Sequence, residues 1–181
     1  KYYSARLAIK RNTDIMKKKS IKVTLSENTW GDNICQRDDL LFSPHGIDLN
    51  QRSDGRYQLA VINHMPRETV EMFELINVDN SWILIWRGCV NAPKTGYFND
   101  VALRSDGSFF TTQMYEKDIS YLNLAYISYT KPDTGFVYQW DVEGEFTAVP
   151  NTEGSFPNGI SISNDEKNLF INYVFNHRTT K

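Results

Sequence analysis

Three positions in this chain carry side chains suited to metal and proton chemistry and recur in one local context: His45, Asn99 and Asn158, 54 and 59 residues apart (99 − 45 and 158 − 99). Each precedes a short alternating run, a turn carrying Asp54-Gly55, Asp106-Gly107 or Asp165-Glu166, and a second apolar run. Asparagine offers a neutral amide oxygen, one of the donors that calcium collects along with carboxylates, backbone carbonyls and water. Histidine titrates near neutrality and can take a proton from water. Asp100 adds a carboxylate beside Asn99, although neighbouring strand residues face opposite ways and it would serve a different role or a second ion. His64 follows an apolar run and could sit near the same place. One isolated Asn-Gly or Asn-Asp would read first as a turn, and one isolated histidine as a structural residue. Repetition at equivalent positions favours a site.

The elements that must position these residues are hairpins written three times, over 42–62, 98–112 and 156–172. Their period is a little above the roughly 40 to 50 residues of a four-stranded propeller blade. The expectation is an all-β chain, a β-propeller fragment of about three consecutive four-stranded blades. Gly46 to Leu49, Tyr57 to Asn63, Thr69 to Ile76 and Trp82 to Cys89 make one blade. Asp100 to Leu103, Ser108 to Thr112, Phe136 to Trp140 and Glu145 to Val149 make the second, and Gly159 to Ser163 with Leu169 to Tyr173 begin a third. Residues 1–41 read as a partial N-terminal blade and a loop: Tyr2 to Ile9 and Ser20 to Leu25 alternate like strands, with a polar turn at Asn12, Thr13 and Asp14 between them, and Ser26 to Asp39 is loop by composition. Residues 42–181 are the blades, with an insertion at 113–135 whose Tyr115, Tyr121, Tyr126 and Tyr129 imply an ordered, partly helical segment. Such insertions gather on one face and often shape a site. First strands of propeller blades line the central channel, so His45, Asn99 and Asn158 should converge at one mouth.

Composition closes off other classes. The formal charge of −2 and a sequence pI near 5.9 give no reason to expect a nucleic-acid partner, and the basic run Lys17 to Lys19 reads as a solvated loop. No apolar run approaches the roughly 18 residues of a membrane span, and no signal-like stretch opens the chain. Cys35 and Cys89 lack metal-ligand spacing and read as two free thiols rather than a disulfide. A start at Lys1 and an end inside a strand pattern suggest a fragment, whose open blade edges would favour self-association or partner pairing. Nothing in the residues indicates a compartment.

The chain resembles the superfamily of six-bladed propellers that holds the paraoxonases (arylesterases), the gluconolactonases and senescence marker protein. Four stretches carry the resemblance: Pro44-His45-Gly46-Ile47 with Val61-Ile62-Asn63-His64; Trp86-Arg87-Gly88-Cys89; Phe98-Asn99-Asp100-Val101-Ala102 running into Asp106-Gly107-Ser108-Phe109-Phe110; and Pro157-Asn158-Gly159-Ile160. It covers roughly residues 42–177. It implies a calcium-dependent hydrolase of lactones or related esters, with a small-molecule lactone or ester as substrate. By motif match Asn99 and Asn158 would be side-chain ligands of a catalytic Ca2+, His45 the general base and His64 its paired histidine. Asp100 and the backbone carbonyl of Ile47 would match ligands of a second, structural calcium. Two features depart from the family pattern. The acidic ligand expected from a first blade is not found, since Glu27, Asp32, Asp38 and Asp39 lie in a loop without strand context, and ligands from later blades would fall beyond Lys181.

Two other readings stand beside the hydrolase. One is a non-catalytic propeller used as a binding or scaffold module, since one fold hosts many functions. The other is a strictosidine synthase-like protein, which shares the fold without the metal chemistry; oxygen ligands at Asn99 and Asn158 tell against it. The insertion's tyrosines favour an apolar or aromatic ester over a sugar lactone.

Overall fold

The structure, a computed structural model, describes residues 22–38, 41 and 43–181. The strand expected over Tyr2 to Ile9, the polar turn at Asn12, Thr13 and Asp14, the basic run Lys17 to Lys19, Asp39 and Phe42 lie outside the described residues. The described chain is all-β in three sheets, with one helix. The first sheet has the order β1-β5-β4-β3-β2, from β1 (Lys22–Thr24), β2 (Pro44–Gln51), β3 (Tyr57–Asn63), β4 (Thr69–Val78) and β5 (Ser81–Asn91). The second runs β6 (Phe98–Leu103), β7 (Phe109–Gln113), β8 (Phe136–Trp140) and β9 (Phe146–Ala148), and the third β10 (Pro157–Ile162), β11 (Leu169–Tyr173) and β12 (Arg178–Thr180). Consecutive strands within each sheet pair antiparallel. The strand read over Ser20 to Leu25 is instead a short edge strand, parallel to β5.

The repetition holds to the level of individual atoms. In each first hairpin the turn aspartate accepts from the backbone N–H two residues on: Asp54 from Arg56, Asp106 from Ser108, Asp165 from Lys167. The next residue takes a positive φ, at Gly55, Gly107 and Glu166. Glycine reaches that conformation without penalty, and Glu166 is held there while its carboxylate accepts from Ser105 N–H and meets Arg104.

Alternation does not leave one face of each sheet wet, because the sheets stack. Ala60, Ile62, Val70, Met72 and Val90 of the first sheet meet Phe98, Val101, Leu103, Phe109 and Trp140 of the second, with Trp30 from the N-terminal loop closing the cluster. Ala102 and Val137 then pack on Ile160, Ile171 and Tyr173 of the third sheet. Strand β6 thereby lies between β2 and β10. The second sheet is thus buried on both faces, and the far face of the first is covered by Cys35 of loop 25–38 packed with Val61, Phe73, Trp86 and Cys89, which explains the near-continuous burial of β7 and β4.

The two cysteines are not free thiols. Cys35 and Cys89 form a disulfide across 54 residues, their Cα atoms 5.6 Å apart. Loop 25–38 is tied along β5 through Thr29 and Trp30 N–H to Arg87 carbonyl and Asp32 N–H to Cys89 carbonyl. That places Cys35 on β5, a tertiary proximity that spacing alone does not reveal. Replacing both cysteines by alanine should cost about 2–5 kcal/mol of unfolding free energy, read as a lowered denaturant midpoint. An unmoved midpoint in reductant would show that the bond is not formed.

The insertion carries a helix, α1 (Tyr121–Thr130), capped by Ser120 Oγ, which accepts from Asn123 N–H, and ended by Lys131 in the left-handed region. None of its residues is buried. The two ends of the insertion meet, since a Cβ on Gly135 would lie 1.8 Å from the Gln113 carbonyl oxygen, and Gly135 also bridges to Gly154.

Candidate active site

The three first strands share an irregularity that the alternation pattern hides. Pairing shifts by one residue between Pro44 and Ile47 in β2, between Phe98 and Val101 in β6, and between Pro157 and Ile160 in β10. The residues inside the three bulges are His45-Gly46, Asn99-Asp100 and Asn158-Gly159. A bulge re-aims side chains and tends to occur beside active sites. Strict alternation of faces does not apply inside a bulge, so the contacts of Asp100 are its own.

Each bulge residue has a defined environment. His45 Nδ1 lies 2.7 Å from His64 Nε2, and His45 Nε2 lies 3.4 Å from Asn99 Nδ2. Asn99 is buried and donates from the same nitrogen to Met114 Sδ at 2.9 Å, and its Oδ1 makes no hydrogen bond among the described residues. Asn158 is half-buried, its side-chain amide equally uncommitted, while its backbone carbonyl accepts from Thr112 Oγ1 at 2.6 Å. Thr112 Oγ1 in turn accepts from Asp100 N–H, so one threonine ties the second and third bulges together.

Asp100 turns toward the other strands. Its Oδ2 accepts from Ile160 N–H at 3.1 Å, and its Oδ1 would lie 2.5 Å from a Cβ on Gly46. Gly46 is therefore required by contact with β6. Burial, followed at lower weight by the Asp48 carboxylate, pushes Asp100 up to about 6 against the pull of two backbone N–H groups. The structure thus brings His45, His64 and Asn99 into direct contact, joins Asn158 through Thr112, and sets Asp100 against the backbone of Gly46, one residue before Ile47.

Two features went unread in the sequence. Glu68 is buried, and both its oxygens lie 2.9 and 3.0 Å from His64 Nδ1 while Oε1 accepts from Phe98 N–H. The line His45, His64, Glu68 is continuous. The second feature is an aromatic ladder: His64 stacks on Tyr97 at 4.7 Å, Tyr97 on Tyr115 at 5.2 Å, and Tyr115 meets Phe156 and Phe156 meets Phe175 at 5.3 and 4.9 Å. Tyr115 is the insertion tyrosine that joins it, and also lines a cleft of about 650 Å³ beneath α1. Tyr121, Tyr126 and Tyr129 face solvent instead. Partial burial, then the neighbouring His64, lower the pKa of His45 below its ordinary value, opposed by the Glu68 carboxylate. The basic form of His45 therefore dominates at neutral pH.

Among the described residues no three His, Cys, Asp or Glu side chains gather as a metal centre. The oxygen donors on the matched bulges are instead the uncommitted amides of Asn99 and Asn158 and the Asp100 carboxylate beside Asn99, and hard oxygens of this kind suit calcium. The upstream acids Glu27, Asp32 and Asp38 belong to loop 25–38, which is bonded to β5, three strands away from β2.

The arylesterase family profile matches residues 21–180, so the chain belongs to the arylesterase family. Among individual proteins it is similar to serum paraoxonase/arylesterase 2 of Gallus gallus, 28% identical over 140 residues. That alignment covers 75% of this chain and 37% of the chicken protein. The chain thus spans little more than a third of the length of that relative.

Proposed function

We propose that the protein, in its full-length form, hydrolyses lactones or related esters with calcium at the site built on Asn99 and Asn158, and that its three sheets are consecutive blades of a six-bladed propeller. The observation that carries the reading is the contact of a basic histidine, His45, with Asn99, whose amide oxygen is unclaimed, and the matching place of Asn158 in the bulge of the next sheet. Family membership supports the same reaction class.

In this reading Asn99 and Asn158 hold the catalytic ion, and Asp100 with the carbonyl of Ile47 holds a second. A calcium bound through neutral amides keeps most of its charge and would polarise a carbonyl oxygen. The chain's own residues do the rest. His45 Nε2 removes a proton from water as the water oxygen attacks the acyl carbon, leaving an imidazolium whose Nδ1–H is held by His64. Collapse of the tetrahedral adduct breaks the ester C–O bond, and the leaving alkoxide takes the proton from His45. Tyr97, Tyr115 and Phe156 form an apolar wall that excludes water and favours an aromatic or apolar acyl or leaving group. No serine nucleophile is required.

Full-length protein freed of calcium by a chelator should lose hydrolysis of phenyl acetate and of aliphatic lactones, and recover it with calcium but not magnesium. Aromatic and apolar substrates should exceed sugar lactones in kcat/KM. Activity indifferent to chelation would refute the proposal.

A further inference from the structure

We infer that Glu68 is the positioning residue of the site: it fixes the tautomers of both histidines so that the lone pair falls on His45 Nε2. The inference rests on the hydrolase reading above for its meaning, but its physical content stands on the hydrogen bonds alone.

A neutral imidazole has one N–H and one lone pair, and which nitrogen carries which is set by the partner of the other. Glu68 is a carboxylate side chain 4% exposed, and both oxygens face His64 Nδ1. An ionised carboxylate can only accept, so His64 carries its proton on Nδ1 and its lone pair on Nε2. His64 Nε2 lies 2.7 Å from His45 Nδ1, which must therefore donate. The lone pair of His45 is left on Nε2, where Asn99 Nδ2 approaches at 3.4 Å as a donor. Every partner in the line, from Glu68 to Asn99, is consistent with this single assignment.

The local sequence explains why Glu68 can do this. The link between β3 and β4 folds back over residues 64–68, and buried Asn63 pins it by donating to the Arg67 carbonyl and Thr69 Oγ1 and accepting from Ser43 and Met65 N–H. Glu68 also accepts from Phe98 N–H, the first residue of the strand that carries Asn99. One carboxylate thus sets the register of the histidine pair against the bulge of β6.

The decisive variant is Glu68→Gln. Its amide oxygen can still accept from Phe98 N–H, while its nitrogen donates to His64 Nδ1 and reverses the whole line, placing a proton on His45 Nε2 where a lone pair is needed. A truncation to alanine would orphan Phe98 N–H and risk the fold, so it is not informative. In the full-length protein, Glu68→Gln should lower kcat for phenyl acetate by about 10²-fold or more with KM changed less than about threefold, and Glu68→Asp should restore a substantial part. Nitrogen-15 NMR of the imidazoles, assigned with His45→Gln and His64→Gln, should show the protonated and lone-pair nitrogens of His45 exchanged in Glu68→Gln. Wild-type kcat and unchanged tautomers in that variant would overturn the inference, as would lost activity with unchanged tautomers. A tautomer exchange in a protein that hydrolyses no ester or lactone would uphold it and refute the hydrolase reading instead.

Discussion

Replacing His45 by glutamine should lower kcat/KM for ester hydrolysis by about 10²- to 10⁴-fold, the range that a positioned general base supplies. The loss should fall mainly on kcat, because in the proposed mechanism His45 acts on the attacking water and holds no part of the substrate. Calcium affinity should change little, since the neighbouring Asn99 keeps its bond to Met114 Sδ. His45 is exposed at the start of β2 and belongs to none of the three buried clusters, so the unfolding midpoint should move little as well. A variant retaining more than a tenth of wild-type kcat/KM at neutral pH would remove His45 from the role of base.

The second large effect concerns Asp100 and changes sign with calcium. Its pKa is raised to about 6 from an ordinary 3.8, so folding favours the neutral carboxyl. The stability this group contributes is present below its unfolded value and is lost as pH rises through about 6. A shift of this size corresponds to about 3 kcal/mol between the two limits. In calcium-free protein, Asp100→Asn should therefore stabilise the fold by up to about 3 kcal/mol near neutral pH and be close to neutral below about pH 4. With calcium in excess the same substitution should destabilise, because it removes the proposed anionic ligand. Denaturant titrations at the two pH values, with chelator and with calcium, read all four cases. Destabilisation by Asp100→Asn in calcium-free protein near neutral pH would contradict the assignment.

The hairpins were legible because alternation and turn chemistry are local. Asp-Gly, or Asp-Glu in the third copy, after a short apolar run specifies the same turn each time, and ten of the twelve described strands follow from that rhythm, with ends off by a few residues. The histidines and asparagines stood out by repetition. The bulges did not, because an extra residue in a strand leaves the composition unchanged and shows only as a shift of pairing. Glu68 was missed because a glutamate in a short polar link between strands reads as solvated, and only the fold-back of residues 64–68 buries it. In retrospect the four-residue spacing from His64 is the one signal the sequence carries. The disulfide and the parallel pairing of β1 with β5 were not legible for a related reason: the strand itself shows in the alternation of Ser20 to Leu25, but its partner, like that of Cys35, depends on how the N-terminal segment runs across β5, and no periodicity encodes that path.

Asn99 and Asn158 are proposed to serve one ion. The most direct test is calorimetric titration of calcium into the full-length protein, its Asn99→Ala and Asn158→Ala variants, and the double variant. Two ligands of the same ion should each lower the affinity strongly, and the double variant should lose little beyond the worse single, since the site is already broken. Unchanged affinity in both single variants, with the fold intact, would contradict the central claim.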